Sequence, residues 1–418
     1  MATRETRKNL HPTTAAFHAG YDPLLSEQSV KVPVFRTSTH GFTHARDGEK
    51  SFQRAYHLPG DDGRAPGLIY ARVNNPSIEI FEDKITAMER SAMSAMLFPS
   101  GMSAISTTIL ALVPHGGRIL YCDPVYGGSY FFLKTFCPAR FGTQTMCVNT
   151  CDLTAVETAL REHGPFDMVY LETPANPTLS LTDIGAVVAL TRKYGKPDTI
   201  VAVDNTFLGP VFQHPFELGA DIVLYSATKF IGGHSDLMAG VTLLPSDRHR
   251  QALEDYRTIL GDTPAPDTAW MLTRSLETLW IRMEAQAKHA MAVAHAIAEH
   301  PKVERVLFPG LLTPTNGVPY EVYKRQCSGP GSVMSFVLKD ATRDGAFRVL
   351  DAMQIARLAV SLGGTQTLIS HPRSMTHSDM TIEDLDRCGI TEGMIRLSVG
   401  LEYPDDLIED LLWSIDQA

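Results

Sequence analysis

Four places in this chain put polar side chains directly after a short apolar run. Runs of that kind read as strands, and in an open parallel sheet ligands bind just beyond the carboxyl ends of the strands. At Pro99-Ser100-Gly101-Met102-Ser103 the run turns into a helical stretch. Free backbone N–H groups and the helix dipole attract phosphate there, and Gly101 would let it approach; turn geometry alone also accounts for a Ser-Gly pair. At Val203-Asp204-Asn205-Thr206 a carboxylate follows TIVAV, suited to a metal, a helix cap or a ring nitrogen. At Ser226-Ala227-Thr228-Lys229 a lysine follows DIVLY. A lysine at a buried strand end is costly unless paired or functional; the bland alternative is a side chain that snorkels to the surface. At Tyr126-Gly127-Gly128 a ring follows RILYCDPV, where it stacks on a flat ligand or simply marks a turn.

Together these residues make a phosphate cradle, an aromatic plate, a carboxylate and a lysine. Pyridoxal 5'-phosphate (PLP) calls for that set: an amine for its aldehyde, an anion beside its ring nitrogen and donors for its phosphate. The sequence has no GxGxxG or Walker lysine, and its 15 histidines are scattered rather than spaced for zinc, so no metal is expected.

The elements that must position these groups follow a rhythm. From Ala92 onward, short apolar runs alternate with helical stretches as far as Lys229. This predicts an α/β fold with right-handed crossovers and a mostly parallel sheet covered on both faces. Residues 1–68 are aperiodic and rich in turn formers, and read as a disordered segment or an arm packed on something else. Residues 69–266 form the large domain. Residues 267–299 read as one long helical stretch, which opens a smaller α+β domain running to residue 418. Its expected strands are VERVLFPG, SVMSFVLK, LAVSLGG and MIRLSVGL.

The bulk properties fit a globular protein of 418 residues, 44% hydrophobic and 20% charged. The net charge of -10 argues against nucleic acid and anionic lipid as partners. No apolar run approaches the ~18–20 residues of a membrane span, and the first 17 residues show no signal-peptide core. Six cysteines without a CxxC pair read as free thiols, and the cytoplasm is the expected location.

The motifs, in order, are Tyr70-Ala-Arg72-Val-Asn-Asn-Pro76, Ser100-Gly101-Met102, Tyr126-Gly-Gly, Glu172-Thr-Pro-Ala-Asn176-Pro, Val203-Asp204-Asn205-Thr206, Ser226-Ala-Thr-Lys229, Ser361-Leu-Gly-Gly364 and Ile395-Arg396-Leu-Ser-Val-Gly-Leu-Glu402. From about Phe17 to the C-terminus the chain resembles the Cys/Met-metabolism family of PLP enzymes, which includes cystathionine γ-synthase and methionine γ-lyase. The resemblance implies PLP fold type I, the aspartate aminotransferase-like architecture. It implies that Lys229 carries the cofactor as a Schiff base and shuttles protons, and that Asp204 pairs with the ring nitrogen. Gly101, Met102, Ser226 and Thr228 would hold the phosphate. Tyr126 would stack on the ring and protonate the leaving group. Arg396 would grip the substrate carboxylate, helped by Asn176 and Ser361. Tyr70 and Arg72 would reach the phosphate of a neighbouring subunit, which gives the arm a purpose and implies a homotetramer built as a dimer of dimers. Glu172 matches a family position with a structural or a catalytic role.

The expected reaction is γ-elimination from a γ-substituted amino acid of the methionine, cystathionine, homocysteine or canavanine type, through a vinylglycine-type intermediate. The alternative is γ-replacement by a cystathionine γ-synthase or O-acylhomoserine sulfhydrylase, with β-elimination third. A PLP-sensing regulator is remote, because the first 68 residues hold no helix-turn-helix pattern. Two departures matter: Gly128 stands where methionine γ-lyases carry Cys, and Gln366 where cystathionine enzymes carry Glu. Segment 53–68, with Arg54, Asp61, Asp62 and Arg64, is read as an entrance loop whose acids suit a cationic γ-substituent such as that of canavanine.

Overall fold

In the computed structural model, which describes residues 10–339 and 342–418, the apolar runs of the first half become strands β1 (Ser94–Phe98), β2 (Arg118–Cys122), β3 (Gln144–Val148), β4 (Met168–Glu172), β5 (Ile200–Asp204), β6 (Ile222–Tyr225) and β7 (Gly240–Leu244). They pair in the order β1-β7-β6-β5-β4-β2-β3. Strands β2 to β6 run parallel, and β7 lies antiparallel between β6 and β1. Strands β1, β4, β5, β6 and β7 are buried along their whole length, as helices on both faces require. The expected sheet is therefore present. Strand β7 escaped the sequence rhythm because it follows the Lys229 loop instead of a crossover helix.

The C-terminal half builds a second sheet from β8 (Val303–Leu307), β9 (Val333–Leu338), β10 (Arg357–Leu358), β11 (Leu368–Ser370) and β12 (Met394–Ser398). Its order is β10-β11-β12-β9-β8. Met334, Phe336, Ile395 and Leu397 of this sheet pack with Val293 and Ile297 of one helix and Leu407 and Leu411 of another, in a core separate from that of the large sheet.

Three local expectations change. The stretch 267–299 is two helices, Pro266–Leu276 and Leu279–Ala298, with the break at Glu277-Thr278. Of the expected strand LAVSLGG only Leu358 lies in β10, and at Ser361, with φ +91°, the chain turns. The arm is not uniformly irregular. Residues 1–9 lie outside the described residues, but Pro12–His18 is helical and is fixed by buried Lys84, whose Nζ donates to the Ala16 carbonyl at 2.8 Å. Ala45–Ala55 is also helical, with a capping box of His44 and Asp47. Gly48 in that helix hid it from a propensity reading, yet a Cβ there would sit 3.0 Å from the Phe42 ring.

The topology brings four polar strand ends to one edge. Glu172 and Asp204 are register partners at the ends of β4 and β5. Helix Gly101–Leu112 starts just beyond β1, and Gly240 of β7 passes beneath its first turn. A Cβ on Gly240 would overlap the Ser100 carbonyl, which is backbone and cannot swing aside. Gly240→Ala is therefore expected to cost about 1–3 kcal/mol of stability by overpacking. Urea denaturation checks this, and an unchanged midpoint would contradict it.

Candidate active site

The first turn of helix Gly101–Leu112 is capped by Ser100, whose Oγ accepts from the Ser103 N–H at 3.0 Å. The Gly101 and Met102 N–H groups have no carbonyl one turn earlier to bond, so they remain available to an anion. A Cβ on Gly101 would lie 2.8 Å from Ser226 Oγ, so this turn and the turn after β6 touch. The Ser226 N–H donates to Thr206 Oγ1 at 2.8 Å. The Thr228 hydroxyl donates to the Ala239 carbonyl at 3.1 Å and accepts from the Ala239 N–H at 3.0 Å. Thr228 thus ties down the loop that carries Lys229, and an anion would have to compete for its proton.

Asp204 is buried. Its Oδ1 accepts from the Thr206 N–H at 3.1 Å and the Thr206 hydroxyl at 2.5 Å, while the Tyr170 hydroxyl lies 3.4 Å from Oδ2. Among the described residues no cation pairs with it, and burial pushes its pKa up. Glu172 beside it accepts the Tyr126 N–H at 3.0 Å and the Asn176 N–H at 2.9 Å. Burial first, and the Asp204 charge second, push the Glu172 pKa up.

The cations of the site are held by neutral oxygens. Lys229 Nζ donates to Ser361 Oγ at 2.9 Å. Burial, reinforced by the Arg396 charge, lowers its pKa to about 8. Arg396 is only 3% exposed, and donates to Asn176 Oδ1 at 3.0 Å and the Ser361 carbonyl at 2.9 Å. Burial lowers its pKa to about 10. Ser361 holds both cations from a left-handed backbone conformation that costs roughly 1–3 kcal/mol in a residue with a side chain. The Tyr126 ring and Met102 Sδ both lie beside Gly128: a Cβ there would lie 2.7 Å from Tyr126 Cε1 and 3.1 Å from Met102 Sδ. Burial, then the charges of Glu172 and Asp379, raise the phenol pKa above its ordinary value, so Tyr126 stays protonated at neutral pH.

The structure gathers Gly101, Met102, Tyr126, Asn176, Asp204, Ser226, Thr228, Lys229, Ser361 and Arg396 at one edge of the large sheet. It does not bring Tyr70 and Arg72 there. Arg72 donates to the Thr258 carbonyl at 2.6 Å and lies 5.9 Å from the Tyr70 ring centroid. The acids of segment 53–68 are already engaged. Asp62 takes two bonds of 2.7 Å from Arg54, and Asp61 takes the Gly63 N–H at 2.8 Å and His57 Nδ1 at 3.0 Å. Sequence reasoning missed Thr206 and Tyr170 as supports of Asp204. Their signal was present: Thr206 follows Asp204 by two residues, and Tyr170 precedes its register partner Glu172 by two, on the same face of β4. It also missed Asp379, which has no local signal.

The donor set fits PLP. A helix N-terminus abuts a second turn for a phosphate, a buried carboxylate without a cation suits a protonated ring nitrogen, and a lysine of lowered pKa suits an aldehyde.

A model of the Cys/Met metabolism PLP-dependent enzymes matches residues 13–416. The L-methionine γ-lyase of Fusobacterium nucleatum subsp. polymorphum is 38% identical over 399 residues, covering 95% of this chain and 96% of that protein. The human cystathionine γ-lyase is 35% identical over 408 residues, covering 98% and 93%. Among solved structures, the cystathionine γ-synthase of Xanthomonas oryzae pv. oryzae in complex with aminoacrylate and cysteine superposes with a TM-score of 0.87 at 30% identity, covering 98% of this chain and 99% of that one.

The lysine environment gives a prediction that does not depend on turnover. In cofactor-free protein, reductive methylation of Lys229 followed by mass spectrometry should titrate with a midpoint near pH 8. Because the shift is downward, the reactive neutral amine gains at the lower pH. A midpoint above 10 would mean that the side chain lies in water.

Proposed function

We propose, from the premise that this chain belongs to the Cys/Met metabolism family of PLP-dependent enzymes, that it is a γ-lyase acting on a γ-substituted amino acid of the methionine, cystathionine, homocysteine or canavanine type. The observation that carries the reading is the double role of Ser361, from which a proton-accepting amine and a carboxylate-binding guanidinium both hang. The γ-lyase relatives favour elimination over replacement.

In this reading Asp204 holds the ring nitrogen of PLP, Lys229 its aldehyde, Tyr126 its face, and Gly101, Met102, Ser226 and Thr228 its phosphate. When bound, the cofactor supplies an electron sink that stabilises negative charge at Cα and Cβ of the substrate. Arg396 grips the α-carboxylate with its guanidinium fork, and Asn176 fixes the orientation of that fork. Freed when the substrate amine takes its place on the aldehyde, Lys229, its pKa lowered to about 8, has about a tenth of its amine neutral at pH 7; it would take the Cα proton, and, after giving that proton up, a Cβ proton. Tyr126 enters protonated and donates to the departing γ-group. The unsaturated amine that is released is hydrolysed by one water molecule, which yields 2-oxobutyrate and ammonia.

Several finer assignments belong to the same proposal. Residues 1–68 act as an arm on a neighbouring subunit, residues 69–266 as the cofactor domain, and residues 267–418 as the linking helices and C-terminal domain. Tyr70, 44% exposed, and Arg72 complete the phosphate site of that neighbour, which makes the working unit a dimer, paired into a homotetramer. A cytoplasmic location is supported by six free thiols; no described helix is long and apolar enough to cross a membrane. The cystathionine γ-synthase likeness favours a second reading, γ-replacement on an activated homoserine.

The deciding measurement is 2-oxobutyrate release from methionine, homocysteine, cystathionine, canavanine and O-acylhomoserines, each with and without thiol. Release without thiol supports the lyase. An oxoacid that never appears, with thioether formed from acylhomoserine and thiol, supports replacement. Lys229→Ala should lose turnover by at least about 10³-fold, together with the visible absorbance of lysine-bound cofactor; retained turnover would sink the assignment. Arg72→Ala and Lys229→Ala proteins, each inactive, should regain up to about a quarter of wild-type activity when refolded together if sites are shared between subunits. No recovery would place Arg72 outside the neighbour's site.

A further inference from the structure

Segment 372–380 leaves β11 and crosses against the Tyr126 turn. A Cβ on Gly127 would overlap the Thr376 carbonyl and lie 3.1 Å from Asp379 Oδ1, so loop and turn meet backbone to backbone. The loop is held firmly. His377 is fully buried, its Nδ1 lies 2.9 Å from Thr376 Oγ1, and the Met380 N–H closes on its carbonyl at 3.1 Å. Met380 is buried too. Asp379 between these anchors is exposed, and its carboxylate faces the Tyr126 side.

The cations near it in sequence are committed elsewhere. Arg373 pairs with Asp386 and Glu392, and Arg387 with Asp123 and Asp384. Among the described residues no lysine, arginine or histidine pairs with Asp379. Tyr126 feels both Arg396, which lowers its phenol pKa, and Asp379, which raises it. A substrate with its carboxylate on Arg396 that runs past Tyr126 therefore heads toward a free carboxylate.

We propose that Asp379 is the anionic end of the substrate site and selects amino acids whose γ-substituent ends in a cation, a guanidinooxy or ammonium group. This rests on the γ-lyase reading above and deepens it. The acids of segment 53–68 cannot serve as readily, because Arg54 and His57 already occupy them.

The test separates binding from turnover. Calorimetry on the PLP-loaded protein compares L-arginine with L-norleucine, a cationic and a neutral side chain without a leaving group. Wild type should bind L-arginine about tenfold more tightly, as one charge-assisted hydrogen bond allows. Asp379→Asn should erase that preference and Asp379→Glu should keep it. In parallel, the ratio of kcat/KM for canavanine over methionine should fall about tenfold in Asp379→Asn. A wild type without the arginine preference, or an Asp379→Asn variant that retains it, overturns the proposal whatever the reaction. Should the preference behave as stated while no substrate yields oxoacid, Asp379 stands and the lyase reading falls. Should oxoacid form while the substitution lowers both substrates equally, the lyase stands and Asp379 falls.

Discussion

The site depends on four shielded ionisable groups, two basic and two acidic, that are kept from pairing with one another. Arg396 and Lys229 meet only neutral oxygens: Asn176 Oδ1, the Ser361 carbonyl and Ser361 Oγ. Asp204 and Glu172 meet only hydroxyl and backbone N–H donors. Burying a charge without an opposite partner costs several kcal/mol. If the side chains were free to collapse, they would pair. Rigid strand ends hold the carboxylates, and a constrained turn holds the cations. The outcome is a lysine pKa pushed down and carboxylate pKa values pushed up in one site. A ligand that brings a ring cation to Asp204 and a carboxylate to Arg396 relieves both penalties, which is why charge arrangement points to an amino acid on a pyridine cofactor more strongly than any single residue does.

That arrangement spans both sheets. Asn176 and Lys229 lie in the loops after β4 and β6 of the large sheet, Ser361 in the loop after β10 and Arg396 on β12 of the small one. Other buried bonds stitch the same seam: Ser335 Oγ to the Pro177 carbonyl at 2.7 Å, Gln286 Nε2 to the Gly364 carbonyl at 2.6 Å, and the Thr365 N–H to the Gly233 carbonyl at 3.0 Å. The conformation of Ser361 is sustained because two cations and the seam fix it from both sides. A shift of one sheet against the other would release the amine and the guanidinium together, so cofactor chemistry and substrate binding share one mechanical support.

What could be read from the sequence follows from which interactions are local. The parallel strands were legible because burial on both faces leaves near-continuous apolar runs, and the residues after them fall at one sheet edge by topology. Asp204, Ser226 and Lys229 needed no tertiary knowledge. Helix Ala45–Ala55 was not legible because its signals, a His cap and a packed Gly48, only make sense against Phe42. The break at Glu277-Thr278 lies inside an unbroken helical pattern. The contacts of Ser361 with Lys229, and of Asp379 with the Tyr126 turn, join residues far apart in the chain, and no local pattern encodes them.

Segment 53–68 and Asp379 show how acidity read from sequence differs from available charge. Asp61 and Asp62 drew attention by standing in a loop, yet neighbours satisfy them. Asp379 drew none, yet it lacks a cation among the described residues and sits against Gly127. Its neighbour Tyr126, 41% exposed, has its ring beside Gly128, where the absence of a Cβ gives the ring its room. In the proposed site, the group that would donate the proton to the leaving atom stands on the same turn that Asp379 faces. On that proposal, selectivity for the γ-substituent and the rate of its departure would be linked through the Tyr126 turn. Gly128, one of the two departures from the family pattern, would then bear on the leaving group through the position of Tyr126, not through any contact of its own.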